Sequence, residues 1–283
     1  MDYEVVLKGV LPPILLALLL VSIAGTRLLP IAVAVGLYVA HGLLKEWPAW
    51  PHELWREPNG VGWLVWGIIA AALVSTARQF RFLPESIASA LSLVIASATV
   101  WLMLGKVAAN WSSIDFAWNV GGGGFLAATT VLAILDVIAR RPDTAQSGIG
   151  LGVLFSVMLS LDAALMVLGK SAFLGQLCGS VAAALGAAVG TCLWRRSFTL
   201  HKADGIWIGC AHALFILAGV HLSYLDWWPA GIALAAPFLL LMLPRLVSEK
   251  KSWRWLCVAG LLLVAPLVFA MWLAQPEANP YGY

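Results

Sequence analysis

The chain has 283 residues, 61% of them hydrophobic and only 11% charged, with a net charge of +3. Soluble domains carry roughly 25% charged residues, so there is too little charge here to cover a water-facing surface. The few basic residues sit in short turns between apolar runs and form no nucleic-acid-binding stripe, and the runs are continuous rather than alternating, which argues against a membrane β-barrel.

Ten apolar runs approach the ~20 residues that a spanning helix needs. They cover 9–26, 28–44, 61–77, 84–105, 120–139, 149–169, 173–194, 205–224, 229–244 and 255–274. The expected fold is a single all-α integral membrane domain over residues 1–283, about ten transmembrane helices in five hairpins, with short loops and no soluble domain. Residues 11–24 resemble a signal h-region. The preceding MDYEVVLK carries two acids and one lysine, a poor n-region, so the segment is expected to stay as a membrane helix. The ninth run is short and punctuated by Pro229, Pro237 and Pro244, which predicts a kinked or partly re-entrant helix.

Lysine and arginine set the expected orientation. Twelve of the 17 follow odd-numbered runs, among them Arg27, Arg78, Arg81, Arg140, Arg141, Arg196, Lys202, Arg245, Lys250 and Lys251. Five lie on the other side, at Lys8, Lys45, Arg56, Lys106 and Lys170. This asymmetry predicts a bacterial inner-membrane protein with both termini outside. The outer side is rich in tryptophan. Residues 45–60 read KEWPAWPHELWREPNG, and Trp47, Trp50, Trp55, Trp111, Trp118, Trp227 and Trp228 all fall there. Indole rings sit well at headgroup depth. The same face also suits contact with lipid or with other membrane subunits.

The costly residues are few. Asp162 stands alone in the sixth run, with Met158, Leu159, Leu165 and Met166 as its helix-face neighbours. An acid inside a membrane helix is a functional candidate by default. Counting 1.5 Å per residue from the expected inner ends puts Asp162 and His41 at ~20 Å, His221 at ~24 Å and His212 at only ~10 Å. On that count His41 and His221, sharing helix faces with Tyr38 and Tyr224, are the expected partners of Asp162. His212 is a secondary polar group. So is Asp136, whose natural mate is Arg140 four residues on. Glu85 suits the positive end of its helix, and Asp204 reads as the N-cap of the eighth. Gly175, Gly179, Gly186 and Gly190 predict a close-packing face on the seventh helix. Gly121–Gly124 read as a hinge or a place where a neighbour comes close. The serines of the fourth run and Thr99 are candidates for hydrogen bonds across helices.

Cys178, Cys192, Cys210 and Cys257 lie in apolar runs without a CxxC pair, so no zinc site is expected, and they read as packing residues. No protease, hydrolase, Walker or Rossmann motif is present. The expected function is a permease or proton/ion-conducting transporter built on Asp162. A non-enzymatic subunit of a larger membrane complex, docking through its tryptophan face, is nearly as well supported. A membrane enzyme ranks third, with His52, Glu53, Asp115 and Asp226 as its only loop candidates. Haem b held by His41 and His221 ranks last. No cofactor is fixed by the sequence.

Overall fold

A computed structural model of the chain describes residues 3–140, 145–195, 200–243 and 252–275. Arg141, Arg196, Pro244, Arg245, Lys250 and Lys251 of the sequence reading, and the side chain of Cys192, lie outside the described residues. Among the described residues, ten principal helices run in chain order. They are α1 Tyr3–Ala24, α2 Leu29–Leu44, α3 Gly60–Gln79, α4 Glu85–Leu104, α5 Gly123–Ala139, α6 Ala145–Leu168, α7 Ala172–Arg195, α8 Asp204–Leu222, α9 Trp227–Leu239 and α10 Ser252–Leu273. Among the described residues there is no strand. Among the described residues, eight stretches are long and apolar enough to cross a membrane, the first of them, Leu7–Leu44, holding both α1 and α2. The protein is an all-α, multi-pass membrane protein.

Neighbours in the chain pack closely at α1–α2, α3–α4, α6–α7 and α9–α10, whereas α5 and α6 do not pair. In the first pair, Gly25 turns the chain with a φ of +67°, open to glycine at little cost. Gly9 then faces Leu44, and Gly36 lies against the Pro13 backbone, so α1 and α2 pack tightly along their length. Two other helices end in a different way. After α3, Phe82 N–H bonds Ala77 O and Arg81 N–H bonds Arg78 O; after α6, Ser171 N–H bonds Met166 O and Lys170 N–H bonds Val167 O. Both are Schellman caps, yet arginine and lysine fill the left-handed position usually left to glycine, with φ of 63° and 62°. Each places a cation at the negative end of its helix.

α8 is the hub. Every residue from Asp204 to Gly219 is buried, as expected of a helix apolar all round. It packs against α3, α4, α5, α6, α7 and α9; α2 closes the ring between α3 and α7, α1 lies on α2 and α7, and α10 covers α6 and α9. Between membrane helices no water is released, so packing and hydrogen bonds hold the bundle rather than the hydrophobic effect. Glycine supplies the close approach. A Cβ on Gly209 would lie 2.7 Å from Val131 Cα, and one on Gly205 3.0 Å from Leu135 Cα, both on α5. On α7, Gly175 sits where a Cβ would meet Ala163 O at 2.8 Å, Gly186 faces Ser156, and Gly179 faces Ala163. Gly190 has no such neighbour within 4 Å. Three of the four glycines thus lie at the seam between α6 and α7.

Gly121–Gly124 form no loop. A π-helical stretch, Ala117–Gly122, leads straight into α5, and Gly124 lets Ser97 of α4 approach and donate to its carbonyl at 3.2 Å. Of the α4 hydroxyls, Ser97 is the one that crosses between helices; Ser92 and Thr99 bond to their own helix. α9 carries Pro229 in its first turn and Pro237 inside, and tightens into a 3-10 turn over Leu240–Met242. Cys178 and Cys210 are buried, whereas Cys257 is exposed on α10.

Gly209→Val is expected to destabilise the bundle by about 1–3 kcal/mol through overpacking against α5. Gly190→Ala is expected to raise stability by about 0.5–1 kcal/mol, because a helix-interior glycine there packs against nothing. Thermal unfolding of both variants in detergent measures the contrast.

Candidate functional site

Asp162 is held on α6 between Met158, Leu159, Leu165 and Met166, and all five residues are inaccessible to solvent. Its partner is His212 of α8, Nδ1 to Oδ2 at 2.7 Å. The other ring nitrogen, Nε2, lies 3.2 Å from the carbonyl oxygen of Ala233 on α9. Three helices therefore meet at one imidazole in the core. Asp162 Oδ1 is buried with no hydrogen-bond partner among the described residues.

The hydrogen bonds fix the proton count. A carbonyl only accepts, so Nε2 carries a hydrogen. Nδ1 then either donates to an ionised carboxylate or accepts from a carboxylic O–H. In both arrangements one proton lies between Oδ2 and Nδ1, and the pair is neutral. Removing that proton would leave a net negative charge in apolar surroundings, which is costly. The pair is thus a one-proton site whose two forms differ by a full charge.

This corrects the expected constellation. Depth counted along a helix equals depth in the membrane only if the helices stand upright and start on one plane. Here Asp162 faces His212 and the end of the Met166 side chain reaches Gly219, so α6 and α8 do not meet in the register counted from their expected inner ends, and His212 lies level with Asp162. His41 is instead buried on α2, its Nδ1 2.6 Å from Glu46 O and its ring edge-on to Phe173. His221 lies between the rings of Trp111 and Trp227, with Nε2 buried and unpartnered among the described residues. Tyr38 packs against Trp47 and Trp66. Tyr224 is 78% exposed and lies under Lys170 Nζ at 5.6 Å. These four residues have separate neighbours and do not gather around Asp162.

The other singled-out residues take local roles. Asp136 pairs with Arg140 at 2.8 Å. Glu85 opens α4 and also meets Arg78 and Lys202. Asp204 is not an N-cap; Ala203 holds that position. The Asp204 carboxylate is buried and accepts from Gln79 Nε2 at 2.8 Å, Trp207 Nε1 at 3.1 Å and the His201 backbone N–H at 2.8 Å. Neither Gln79 nor Trp207 stands out in the sequence; Trp207 shares a helix face with Asp204 three residues before it, whereas nothing in the spacing links Gln79 to an acid 125 residues away.

At the tryptophan end, Trp47, Trp50, Trp55, Trp118, Trp227 and Trp228 are exposed, while Trp111 is half-buried. The 45–59 loop folds back on α3. Trp50 packs on Trp66 and Trp55 on Trp63, Trp66 Nε1 donates to Ala49 O, and Asn59 caps α3 through Val61 and Gly62 N–H. Glu53 accepts from Trp50 N–H and Asp115 from Ser112, so each caps its own turn. His52 lies beside Glu53 in that loop, and Asp226 opens α9. Among the described residues, no three His, Cys, Asp or Glu converge on a point where a metal ion would sit. No protein-family model matches the chain, and no curated protein does either.

His212→Ala strands the carboxylate and is expected to cost about 3–5 kcal/mol. Replacing both residues by leucine is expected to cost less than His212→Ala alone, since no buried charge is left behind. Unfolding of the two single variants and the double variant gives the coupling; additive losses would rule it out.

Proposed function

We propose that the protein is a proton-linked permease of the membrane, with Asp162 and His212 as the residues that take up and release the coupling proton. The observation that supports this is the fully buried pair with one carboxylate oxygen left unpartnered. A purely structural acid would be expected to have both oxygens satisfied or to be replaced by an apolar residue. Release of the proton requires access, and α9 is the element suited to give it. Its Ala233 carbonyl fixes the His212 ring, and its internal Pro237 weakens its own backbone ladder. Withdrawal of α9 would free Nε2 and admit water to the pair. By the positive-inside rule the arginine end of the bundle faces the cytoplasm of a bacterial cell.

A second reading, a subunit of a larger membrane complex, rests on the six exposed tryptophans gathered at one end. Purified chain reconstituted alone in liposomes, with an imposed potassium potential and an internal pH dye, separates the two. Proton uptake is expected in the wild type and about tenfold or more slower uptake in Asp162→Asn and His212→Gln, with Asp136→Asn unchanged. Equal rates in wild type and Asp162→Asn would refute the proposal. Absence of flux from the chain alone, with a second protein retained on purification, would favour the subunit.

A further inference from the structure

At the end of the bundle opposite the tryptophans, the turn before α2, the end of α3 and the starts of α4 and α8 line a half-open cavity of about 260 Å³. Four cations line it: Arg27, Arg78, Arg81 and Lys202. One carboxylate, Glu85, stands among them and is taken up by Arg78 and Lys202. The side chains of Arg27 and Arg81 have no ion-pair or hydrogen-bond partner among the described residues. Two guanidinium groups thus face one cavity with their charge uncompensated. Arg81 is held there by its left-handed backbone in the α3 cap, a position that a glycine would fill with less strain. Gln79, also in the lining, spends its Nε2 on Asp204 and leaves Oε1 buried without a donor.

We propose that this cavity binds a phosphate group. Guanidinium groups recognise phosphate oxygens with paired, charge-assisted hydrogen bonds. The unpartnered Gln79 oxygen suits a hydroxyl or ammonium carried by the same ligand. The volume, several times the ~30 Å³ share of one water, accommodates a phosphate with a short polar substituent. Two sources have this chemistry: the headgroup of an anionic phospholipid and a soluble phosphate ester. Phe82, Ile87 and Leu91 are exposed on the adjoining turn and on α4, where acyl chains would run. Basic pockets between helices at a cytoplasmic membrane face bind lipid headgroups in this manner.

The test uses the full-length protein in a neutral detergent. Phosphatidylglycerol, phosphatidylcholine and glycerol phosphate are titrated separately, with bound ligand counted by native mass spectrometry. The wild type is expected to prefer phosphatidylglycerol to phosphatidylcholine, and the Arg27→Gln/Arg81→Gln variant to bind it at least about tenfold more weakly, the factor that one charge-assisted hydrogen bond supplies. Lys106→Gln, at the tryptophan end, serves as the charge control and is expected to bind as the wild type does. Arginine-dependent binding of the lipid alone assigns the site to a headgroup. Arginine-dependent binding of glycerol phosphate assigns it to a soluble ester. If neither ligand responds to loss of the two arginines, in protein whose melting temperature is unchanged, the proposal is overturned. Arg27→Lys/Arg81→Lys provides a second variant that retains charge but loses the paired geometry, and intermediate affinity is expected.

Discussion

A helix enclosed on every side must let its neighbours come close and must not carry groups that need water. α8 meets the first demand with glycines at 205, 209 and 219, each close against another helix, most tightly at Gly209, where a Cβ would lie 2.7 Å from Val131 Cα. The second demand it breaks twice, at Asp204 and His212, and the rest of the bundle is arranged around those breaches. Asp204 is met by Gln79, Trp207 and a backbone N–H. His212 is met by an acid on one neighbour and a carbonyl on another. In hydrocarbon an unmet polar group costs several kcal/mol, so these satisfied contacts favour the helices that lie beside α8.

The two ends of the molecule solve different problems. The tryptophan end is closed by its own loops, which lay indole rings over α3 and cap it with Asn59. The arginine end is held by tight turns and by Glu85 bridging two cations. Both Schellman caps place a side chain where glycine would be easier. At Lys170 the gain is a cation over the Tyr224 ring, and at Arg81 a guanidinium directed to the shared cavity.

Much of the architecture was legible in the sequence because a bilayer imposes length and apolarity on each helix separately. The runs found by hydropathy are the helices observed, and the Asp136–Arg140 pair and most of the glycine seam followed from spacing along one helix. What failed was every judgement that joined two helices by depth. Asp162 and His212 are 50 residues apart, and their meeting depends on the register in which α6 packs on α8, which neither segment's own pattern fixes. Asp204 was placed one residue off for a related reason. Its cap role was inferred from local chemistry, whereas Gln79 and Trp207 compete for the same carboxylate. His41 and His221 looked matched because they lie near equivalent helix ends, and each is in fact taken by aromatic neighbours from its own end of the bundle.

The separation of Asp162 from His212 along the chain also bears on how the protein is made. Synthesis runs from the N-terminus, so α6 reaches the membrane with its acid before the ribosome has made the histidine 50 residues later. An aspartate at the centre of an inserting helix costs about 2.5–3.5 kcal/mol, to be offset by the leucine, valine and methionine that surround it in α6. The acid meets its imidazole only when α8 arrives. Ala233 of α9 is made later still, so the site is completed in three stages of biogenesis. A nascent chain stalled between the second and third would hold an imidazole free to turn.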